Sequence, residues 1–393
     1  MIKNFDINKI NTKKLKLGEN ILSLKHYSYP KVKYNDKKLL DSNNDPIGTK
    51  GDMYTKLILD NILQNGTLDD DPRPKYEDFY KNAKYNIKRN VIITEDGYEI
   101  KLAVNDKIKK YKDGIKLFSP AHTLSVNNGI ECNYDLSKGE SPLITLRPIA
   151  TKASIAEILW IYQKQSNDLV EFDELLGKNT WNENHNINNW WKDWALKDEN
   201  GNYILNKKNH PTIGSCYGET VRKHNLLKEQ VIENIKNNMD NRRNITSLWQ
   251  QDDFNDPHGL KPCAFLTIWN VRHEWNGKDY LDMTMVQRSS DFATAGCINQ
   301  VQYVVLQKMV ARELGLEPGI FTWKPINVQI YDRHIDQAIE LLSREPINCN
   351  PKIELNKDIK YFDDFKVNDI KIKDYPIEEI KVKNKQLKFP LGI

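Results

Sequence analysis

Free thiols are the first groups in this sequence that could carry out covalent chemistry. The chain contains five cysteines, which are Cys132, Cys216, Cys263, Cys297 and Cys349. They form no Cys-x-x-Cys pair and have no His or Cys at the spacing of zinc ligands, so we expect neither a disulfide framework nor a metal site. Cys263 follows Pro262 directly before a predicted buried strand. A free cysteine in such a place is either a small buried apolar residue or, once ionised, a nucleophile.

Other groups with chemical potential lie among apolar residues. Glu157 belongs to the apolar run AEILWIY, where a carboxylate is costly unless it has partners. Tyr217, in IGSCYGE, is either a half-buried structural residue or a functional hydroxyl. The run NNWWKDW contains Trp191 and Trp194, which form either part of the core or a wall for a flat ligand.

The charge of the chain is mildly positive and widely distributed. Lys and Arg number 58 and Asp and Glu number 54, which gives a net charge of +4 and a pI near 8.5. The densest run, KLAVNDKIKKYKDGIK at residues 101–116, is either a solvated surface or an anion-binding patch. The adjacent Arg242 and Arg243 leave the same two alternatives open. Because nucleic-acid-binding proteins concentrate positive charge on one face or tail, a nucleic-acid partner is not expected.

The composition indicates a folded protein without a membrane-spanning segment. Hydrophobic residues make up 39% of the chain, which includes nine Trp and eighteen Tyr. The N-terminal run MIKNFDINKI lacks the apolar core of a signal peptide, and no apolar run reaches the ~20 residues that cross a bilayer. Unpaired cysteines are typical of a reducing compartment. We therefore expect a cytoplasmic protein without a membrane partner.

The elements that must position these groups alternate in type along the chain. Helical spacing of apolar residues occurs in MYTKLILDNILQNG, with Gly66 as a C-cap, and in TKASIAEILWIYQKQ, NLLKEQVIENIKNN, INQVQYVVLQKMVARELG and HIDQAIELLSRE. AFLTIWNV and YLDMTMVQ alternate as strands do, with Leu281, Met283 and Met285 on one face. Long helices mixed with non-consecutive strands predict an α+β domain built around a sheet.

Two segments interrupt this pattern. Residues 1–50 are rich in Lys and Asn and end in a cluster of turn-forming residues, so we interpret them as an N-terminal extension of a domain that covers 51–393. Residues 78–115 alternate charged and aromatic side chains around a predicted hairpin turn at Asp96-Gly97, and we interpret them as an insertion.

The order and spacing of several motifs resemble the thymidylate synthase family from about Ser119 to the end. The motifs are RRNITSLWQQDDF, LKPCAFLTIW, LDMTMVQRSSDF, GCINQVQY and VQIYDRHID, and PAHTLSV at residues 120–126 is similar to bacterial and phage variants. The resemblance implies a mixed β-sheet packed by long helices, with the sheet at a homodimer interface. It also implies reductive methylation of dUMP to dTMP with 5,10-methylenetetrahydrofolate, without a metal.

The resemblance also implies roles for individual residues. The thiolate of Cys263 would attack C6 of the pyrimidine, because a thiolate both adds readily and leaves again. Arg288 would contact the phosphate and lower the pKa of the thiol. Glu157 would act as general acid and base, and Tyr217 would help remove the C5 proton. Asp291 would contact the pterin of the folate and order the closed state.

Further residues match positions that bind the nucleotide and the folate. The carboxamide of Asn299 can accept from uracil N3–H and donate to O4, whereas an Asp there would favour cytosine. The remaining nucleotide-binding matches are Ser289 for the phosphate, Tyr331 for the sugar hydroxyl, Gln329 near O4, Arg73 in DDPRPKY for the phosphate, and Arg242 and Arg243 donated by the partner subunit. Trp191 and Trp194 match the aromatic walls of the folate site, to which Glu157 and Asp291 also belong.

The chain departs from the family pattern in two places. Gly-Asp-x-His-x-Tyr becomes the run from Ile326 to Tyr331, so that Gln329 replaces a histidine and cannot titrate near neutral pH. Leu-Gly-x-Pro-Phe-Asn becomes the run from Thr294 to Asn299. Three functions therefore remain open, namely methylation, hydroxymethylation in which water captures the one-carbon unit, and nucleotide or nucleic-acid binding on a retired fold. The retained tryptophans and Asn299 favour methylation.

Overall fold

The structure is a computed structural model of the chain. It describes residues 47–69, 74–103, 105–127, 129–178, 187, 189–255, 260–390 and 392. Most of the predicted extension at 1–50 lies outside these residues, as does Arg73. Within the described ranges no helix is both long and apolar enough to cross a membrane.

Fifteen strands and eight α-helices make up the described part of the chain. The strands are β1 (Thr67–Leu68), β2 (Lys75–Lys81), β3 (Lys84–Asn86), β4 (Val91–Ile93), β5 (Glu99–Lys101), β6 (Lys107–Tyr111), β7 (Gly114–Pro120), β8 (Thr123–Asn127), β9 (Cys132–Asp135), β10 (Asn244–Ser247), β11 (Ala264–His273), β12 (Asp279–Asp291), β13 (Glu317–Tyr331), β14 (Lys352–Leu355) and β15 (Ile370–Lys373). The α-helices are α1 (Lys50–Asn65), α2 (Thr151–Ile158), α3 (Leu169–Leu175), α4 (Gly218–His224), α5 (Asn234–Asn237), α6 (Cys297–Leu314), α7 (Ile335–Ser343) and α8 (Ile377–Lys383).

A seven-stranded mixed sheet forms the centre of the molecule. Its order is β1-β8-β13-β12-β11-β10, and β9 also pairs with β13. Strands β12 and β13 run parallel, whereas the other pairs are antiparallel. Leu281, Met283 and Met285 alternate on one buried face of β12, as their spacing predicts, and α6 packs against that sheet. The predicted α+β class and mixed sheet are confirmed.

The predicted helices form, with local differences. Helix α1 begins one residue after Thr49, whose side chain accepts from the Asp52 N–H while Asp52 accepts from the Thr49 N–H, so the helix has a full capping box. Gly66 ends it in an extended conformation, and a side chain there would meet the Ile62 carbonyl at 2.4 Å. Helix α6 ends at Gly315 as its sequence predicts, and Gly315 adopts the left-handed conformation.

Two of the predicted helices widen into π-helical turns. The helix that contains Glu157 continues after α2 as a π-helical turn at Leu159–Gln163. The run NLLKEQVIENIKNN forms a π-helical turn at Lys228–Glu233 before the single turn of α5, so the regular α-helix predicted there is wrong. A π-helical turn at Phe292–Gly296 likewise precedes α6. Such turns are frequent at functional sites.

Residues 75–120 fold into two small three-stranded sheets. One has the order β2-β7-β6 and the other β3-β4-β5, and the hairpin predicted at Asp96-Gly97 joins β4 to β5 with Gly97 at a φ of +80°. The two sheets enclose an apolar cluster separate from the main core, made of Ile92, Ile100, Leu102, Ile115 and Leu117. That the segment 78–115 is an insertion stays a prediction.

Candidate active site

A cavity of ≈ 440 Å³ lies at the end of the central sheet. Because β12 and β13 are parallel, their carboxyl ends meet at one edge, where Asp291 pairs with Gln329. Eleven residues predicted for the site line the cavity, namely Glu157, Trp191, Trp194, Tyr217, Cys263, Arg288, Ser289, Asp291, Asn299, Gln329 and Tyr331. They come from seven separate segments of the chain, and the tertiary structure brings them together.

The thiol of Cys263 faces a guanidinium that is itself held in place. A terminal nitrogen of Arg288 lies 3.6 Å from the Cys263 sulfur. The guanidinium is held by donations from Nε to the Pro262 carbonyl at 2.8 Å and from the same terminal nitrogen to the Lys261 carbonyl at 2.7 Å, and it lies 5.5 Å from the centre of the Trp249 ring. Burial raises the pKa of the Cys263 thiol and the charge of Arg288 lowers it, so the positive charge offsets part of the cost of forming a thiolate.

Tyr217 is held beside the nucleophile in a strained backbone conformation. Its φ of +48° is unusual for a residue with a bulky side chain. The phenol oxygen accepts the backbone N–H of Cys263 at 3.1 Å, and the ring packs edge-on against Trp191 at 5.3 Å. The following Gly218 permits the turn, because a Cβ there would lie 2.1 Å from the Ser166 carbonyl oxygen. The strained backbone of Tyr217 is therefore located at the residue whose hydroxyl must reach the cavity.

Glu157 lies at the floor of the cavity with its carboxyl buried. Burial raises its pKa from 4.5 to about 7, and the nearby Gln302 amide and the indoles of Trp191 and Trp190 offset part of that rise. The buried Trp191 Nε1 and Gln302 Nε2 nevertheless make no hydrogen bond of normal geometry in the described structure. The carboxyl group is thus close to half ionised near neutral pH, which suits proton transfer in both directions.

A chain of hydrogen bonds sets the orientation of the Asn299 carboxamide. The Trp323 indole can only donate, and it donates to the Gln287 oxygen at 2.9 Å. The Gln287 amide therefore donates to the Asn299 oxygen at 3.1 Å, and the Asn299 amide donates to Gln302 at 3.1 Å. One lone pair and one N–H of Asn299 remain for a ligand. The lone pair can accept from N3–H of uracil, and the N–H can donate to O4.

The opposite wall carries Tyr331 and Asp291. The Tyr331 hydroxyl donates to the Gly392 carbonyl at 3.3 Å, and Gly392 lines the cavity. The Thr294 hydroxyl donates to one oxygen of Asp291. The other Asp291 oxygen is buried without a hydrogen bond in the described residues, 3.6 Å from the His334 ring.

Aromatic side chains form the third wall. Trp191 and Trp194 belong to a short 3-10 helix at Trp190–Trp194, and their rings pack at 5.9 Å. Trp191 also contacts the fully buried Trp160 at 5.6 Å, so one side of its ring belongs to the core. Trp191 therefore packs on the core and lines the cavity at once, and a role of the two rings as a wall for a flat ligand stays a prediction.

Three predicted arginines are not placed in the cavity of a single chain. Arg242 and Arg243 are exposed and lie just before β10, at the edge of the sheet and outside the cavity. Arg73 lies outside the described residues, although its neighbour Pro74 lines the cavity.

Several cavity residues were not predicted from the sequence. Gln302 and Tyr303 follow Asn299 by three and four positions on α6, so helical spacing places them on the same face. Gln287 continues the buried alternation of β12, where a polar residue is unexpected. A polar group at a core position is a signal that could have identified it.

The cavity brings together a thiol, a cation, a carboxyl and a carboxamide, the kinds of group that an enzyme with a covalent mechanism uses. The sequence model of the family described as "Thymidylate synthase" matches residues 102–385. The thymidylate synthases of Streptococcus sanguinis and Streptococcus pneumoniae are each 43% identical over 286 residues, which is 72% of this chain and 90% of theirs. The structure of a thermostable thymidylate synthase A from Bacillus subtilis aligns with a TM-score of 0.60 and 28% identity, covering 87% of this chain and 99% of that one.

The chain therefore belongs to the thymidylate synthase family. Its activity is that of a folate-dependent methyltransferase that converts dUMP to dTMP. The family predicted from the motifs is confirmed.

Proposed function

We propose that this cavity methylates dUMP through addition of the Cys263 thiolate to C6 of the pyrimidine, with 5,10-methylenetetrahydrofolate as co-substrate. The observation that carries the proposal is the Arg288 guanidinium 3.6 Å from the Cys263 sulfur, inside a cavity that also holds Asn299. Addition at C6 moves charge into the ring, so C5 becomes nucleophilic. Arg288 acts on the thiolate that adds to C6, and Asn299 acts on the edge of the ring into which the charge moves.

The nucleotide is held by groups with different tasks. Arg288 and Ser289 receive the 5′-phosphate, for which a planar and permanently charged donor is suited. Asn299 selects uracil, since its free lone pair and N–H complement N3–H and O4. Tyr331 binds the sugar 3′-hydroxyl after its hydroxyl leaves the Gly392 carbonyl. Gln329 donates or accepts near O4 without changing its charge.

Proton transfer is assigned to Glu157 and Tyr217. With a pKa of about 7, Glu157 both gives and takes a proton near neutral pH. Burial and the neighbouring Cys263 raise the pKa of Tyr217 well above its ordinary value, so its hydroxyl stays protonated. Tyr217 therefore holds and relays a proton rather than acting as a strong base.

The residues present fit a reduced folate. Its pterin is flat, and the Trp191 and Trp194 rings line one side of the cavity. One buried Asp291 oxygen is without a hydrogen-bond partner in the described structure, which leaves an acceptor for the pterin. When bound, the folate supplies the one-carbon unit and the hydride.

A homodimer would complete the phosphate site. The face of the central sheet opposite α6 carries half-buried or exposed apolar side chains, which are Ile245, Leu266, Ile268, Val286 and Ile326. A second copy that covers this face would bring its own Arg242 and Arg243, adjacent to β10, toward the neighbouring cavity. An isologous contact of this kind gives both sites the same arginines.

Intact-mass measurement with 5-fluoro-dUMP and 5,10-methylenetetrahydrofolate tests the mechanism. The wild type should gain the mass of both molecules, and a Cys263→Ser control should gain neither. A folded wild-type protein without adduct would contradict the proposal. With dUMP, product mass separates dTMP from the hydroxymethyl product, which carries one more oxygen.

Subunit mixing tests the dimer. A Cys263→Ala chain and an Arg242→Glu/Arg243→Glu chain should each be inactive. Mixed in equal amounts after exchange they should recover about a quarter of the wild-type activity, because half of the dimers contain one complete site. No recovery despite verified exchange would contradict donation of the arginines in trans.

A further inference from the structure

Tyr76 is an aromatic residue of β2 that packs directly against the proposed sugar-binding tyrosine. It is 1% exposed, and together with Ala121 and Tyr331 it forms a small apolar cluster separate from both larger cores. Its ring meets Tyr331 edge-on at 6.2 Å, and the His334 ring also packs edge-on against Tyr331 at 5.3 Å. Tyr331 therefore packs against two rings, which restricts its side-chain rotation.

The two residues that follow Tyr331 also form hydrogen bonds with Tyr76 of strand β2. The Tyr76 hydroxyl donates to Asp332 at 2.5 Å and accepts the Arg333 backbone N–H at 3.3 Å. The Arg333 guanidinium lies 3.9 Å from the centre of the Tyr76 ring and pairs with Asp78 at 2.8 Å. Burial and the Asp332 carboxylate raise the pKa of Tyr76, so the hydroxyl remains a donor. Strand β2 thus holds the end of β13 through side chain and backbone.

We propose that Tyr76 is a positioning residue that sets where the Tyr331 hydroxyl meets the sugar of the nucleotide. The inference rests on the proposed function, in which Tyr331 binds the 3′-hydroxyl. A hydrogen bond weakens when its donor moves by about half an ångström beyond the preferred distance or turns away from its acceptor. The hydrogen bond of Tyr76 to Asp332 and its ring contact with Tyr331 fix both the position and the orientation of the Tyr331 side chain.

The strand that carries Tyr76 also begins the segment predicted as an insertion. Lys75 and Tyr76 pair with Pro120 and Ser119 of β7 at the base of this segment. Pro74, immediately before β2, lines the cavity, so the base of the segment adjoins it. The base of residues 75–120 would therefore affect nucleotide binding, although the cluster of Ile92 and its neighbours lies apart from the site.

A double-mutant cycle between Tyr76→Phe and Tyr331→Phe tests this role. Tyr76→Phe keeps the ring and removes the bond to Asp332, and it should weaken dUMP binding by about three- to tenfold. It should have no further effect in the Tyr331→Phe background, because the positioned hydroxyl is then absent. It should also leave the binding of 2′,3′-dideoxyuridine 5′-monophosphate unchanged, since that nucleotide lacks the 3′-hydroxyl.

The controls separate positioning from folding. Tyr98→Phe, in the exposed hairpin of the same segment, should change neither affinity nor thermal midpoint. Equal losses with both nucleotides, additive losses in the cycle, or no loss at all would overturn the positioning role. If Tyr331→Phe itself leaves dUMP binding unchanged, the assigned role of Tyr331 fails and this inference fails with it. Adduct formation at Cys263 would still test the catalytic proposal separately.

Discussion

Replacing Glu157 by Gln should remove a pH dependence of stability that the wild type shows. Burial raises the pKa of this carboxyl from 4.5 to about 7. Because each pH unit between the unfolded and folded pKa is worth about 1.4 kcal/mol, ionising Glu157 in the folded protein costs about 3 kcal/mol. Between these two values the folded protein holds a proton that the unfolded chain has released. Its stability therefore falls as the pH rises from about 4.5 to 7.

Urea unfolding at a series of pH values from 5 to 8 measures this effect. The wild type should lose up to about 3 kcal/mol relative to Glu157→Gln across the series, with protein concentration held fixed because a dimer unfolds in a concentration-dependent way. The exposed Glu174→Gln variant, on α3, is a matched control that should keep the wild-type slope.

The same variant gives a kinetic readout. The pH profile of kcat/KM should show a limb near pH 7 in the wild type, and Glu157→Gln should lose it together with about 10²- to 10⁴-fold in kcat. Parallel stability profiles for the wild type and Glu157→Gln would refute the reasoning, because they would mean that the carboxyl ionises in the folded protein at its ordinary pKa.

Three further outcomes are expected. Arg288→Gln should slow alkylation of Cys263 by iodoacetamide at pH 7 by about tenfold, because the positive charge 3.6 Å from the sulfur is lost; an unchanged rate would show that Arg288 does not act on the thiol. Replacing residues 78–117 by Asn-Gly, which joins the paired strands β2 and β7 through a two-residue turn, should leave 5-fluoro-dUMP labelling within about twofold. Complete loss of labelling in that folded variant would place the segment inside the site. Asn299→Asp should lower kcat/KM for dUMP by about 10²-fold and raise the relative rate with dCMP, since a carboxylate cannot donate to O4; retained preference for uracil would contradict the assignment.

Local patterns were sufficient for some of the regular elements of this fold. The alternation of Leu281, Met283 and Met285 predicted β12, and the apolar spacing before Gly315 predicted α6. Both signals lie within one element, because side-chain period and cap residues depend on neighbours in sequence. The π-helical turns were missed, since a π-helical turn shows no periodicity distinct from that of the helix around it.

The long strand β13 was also missed. It runs from Glu317 to Tyr331 and pairs with three strands, yet its sequence contains Pro318, Gly319 and Pro325, which argue against a strand. Pairing on both sides overrides that local preference, and tertiary context of this kind is invisible to a propensity argument.

The identities of the reactive groups were determined by the sequence alone. Cys263, Arg288, Asn299 and Glu157 could be named as a set because their motifs occur in the family order, and 43% identity to known thymidylate synthases supports that order. Their chemical capacities, as a thiol, a fixed cation, a carboxamide and a carboxyl, are properties of the side chains themselves.

Only the tertiary structure decided how these groups are tuned. The pKa of Glu157 rises because its carboxyl is buried, and burial depends on residues far away in the chain. The orientation of Asn299 follows from a chain of hydrogen bonds whose first donor is Trp323. The placement of Tyr331 follows from contacts with Tyr76, which lies 255 positions earlier in the chain. Charge, hydrogen bonding and packing act through space, so the sequence determined which groups are present and the fold determined what each one faces.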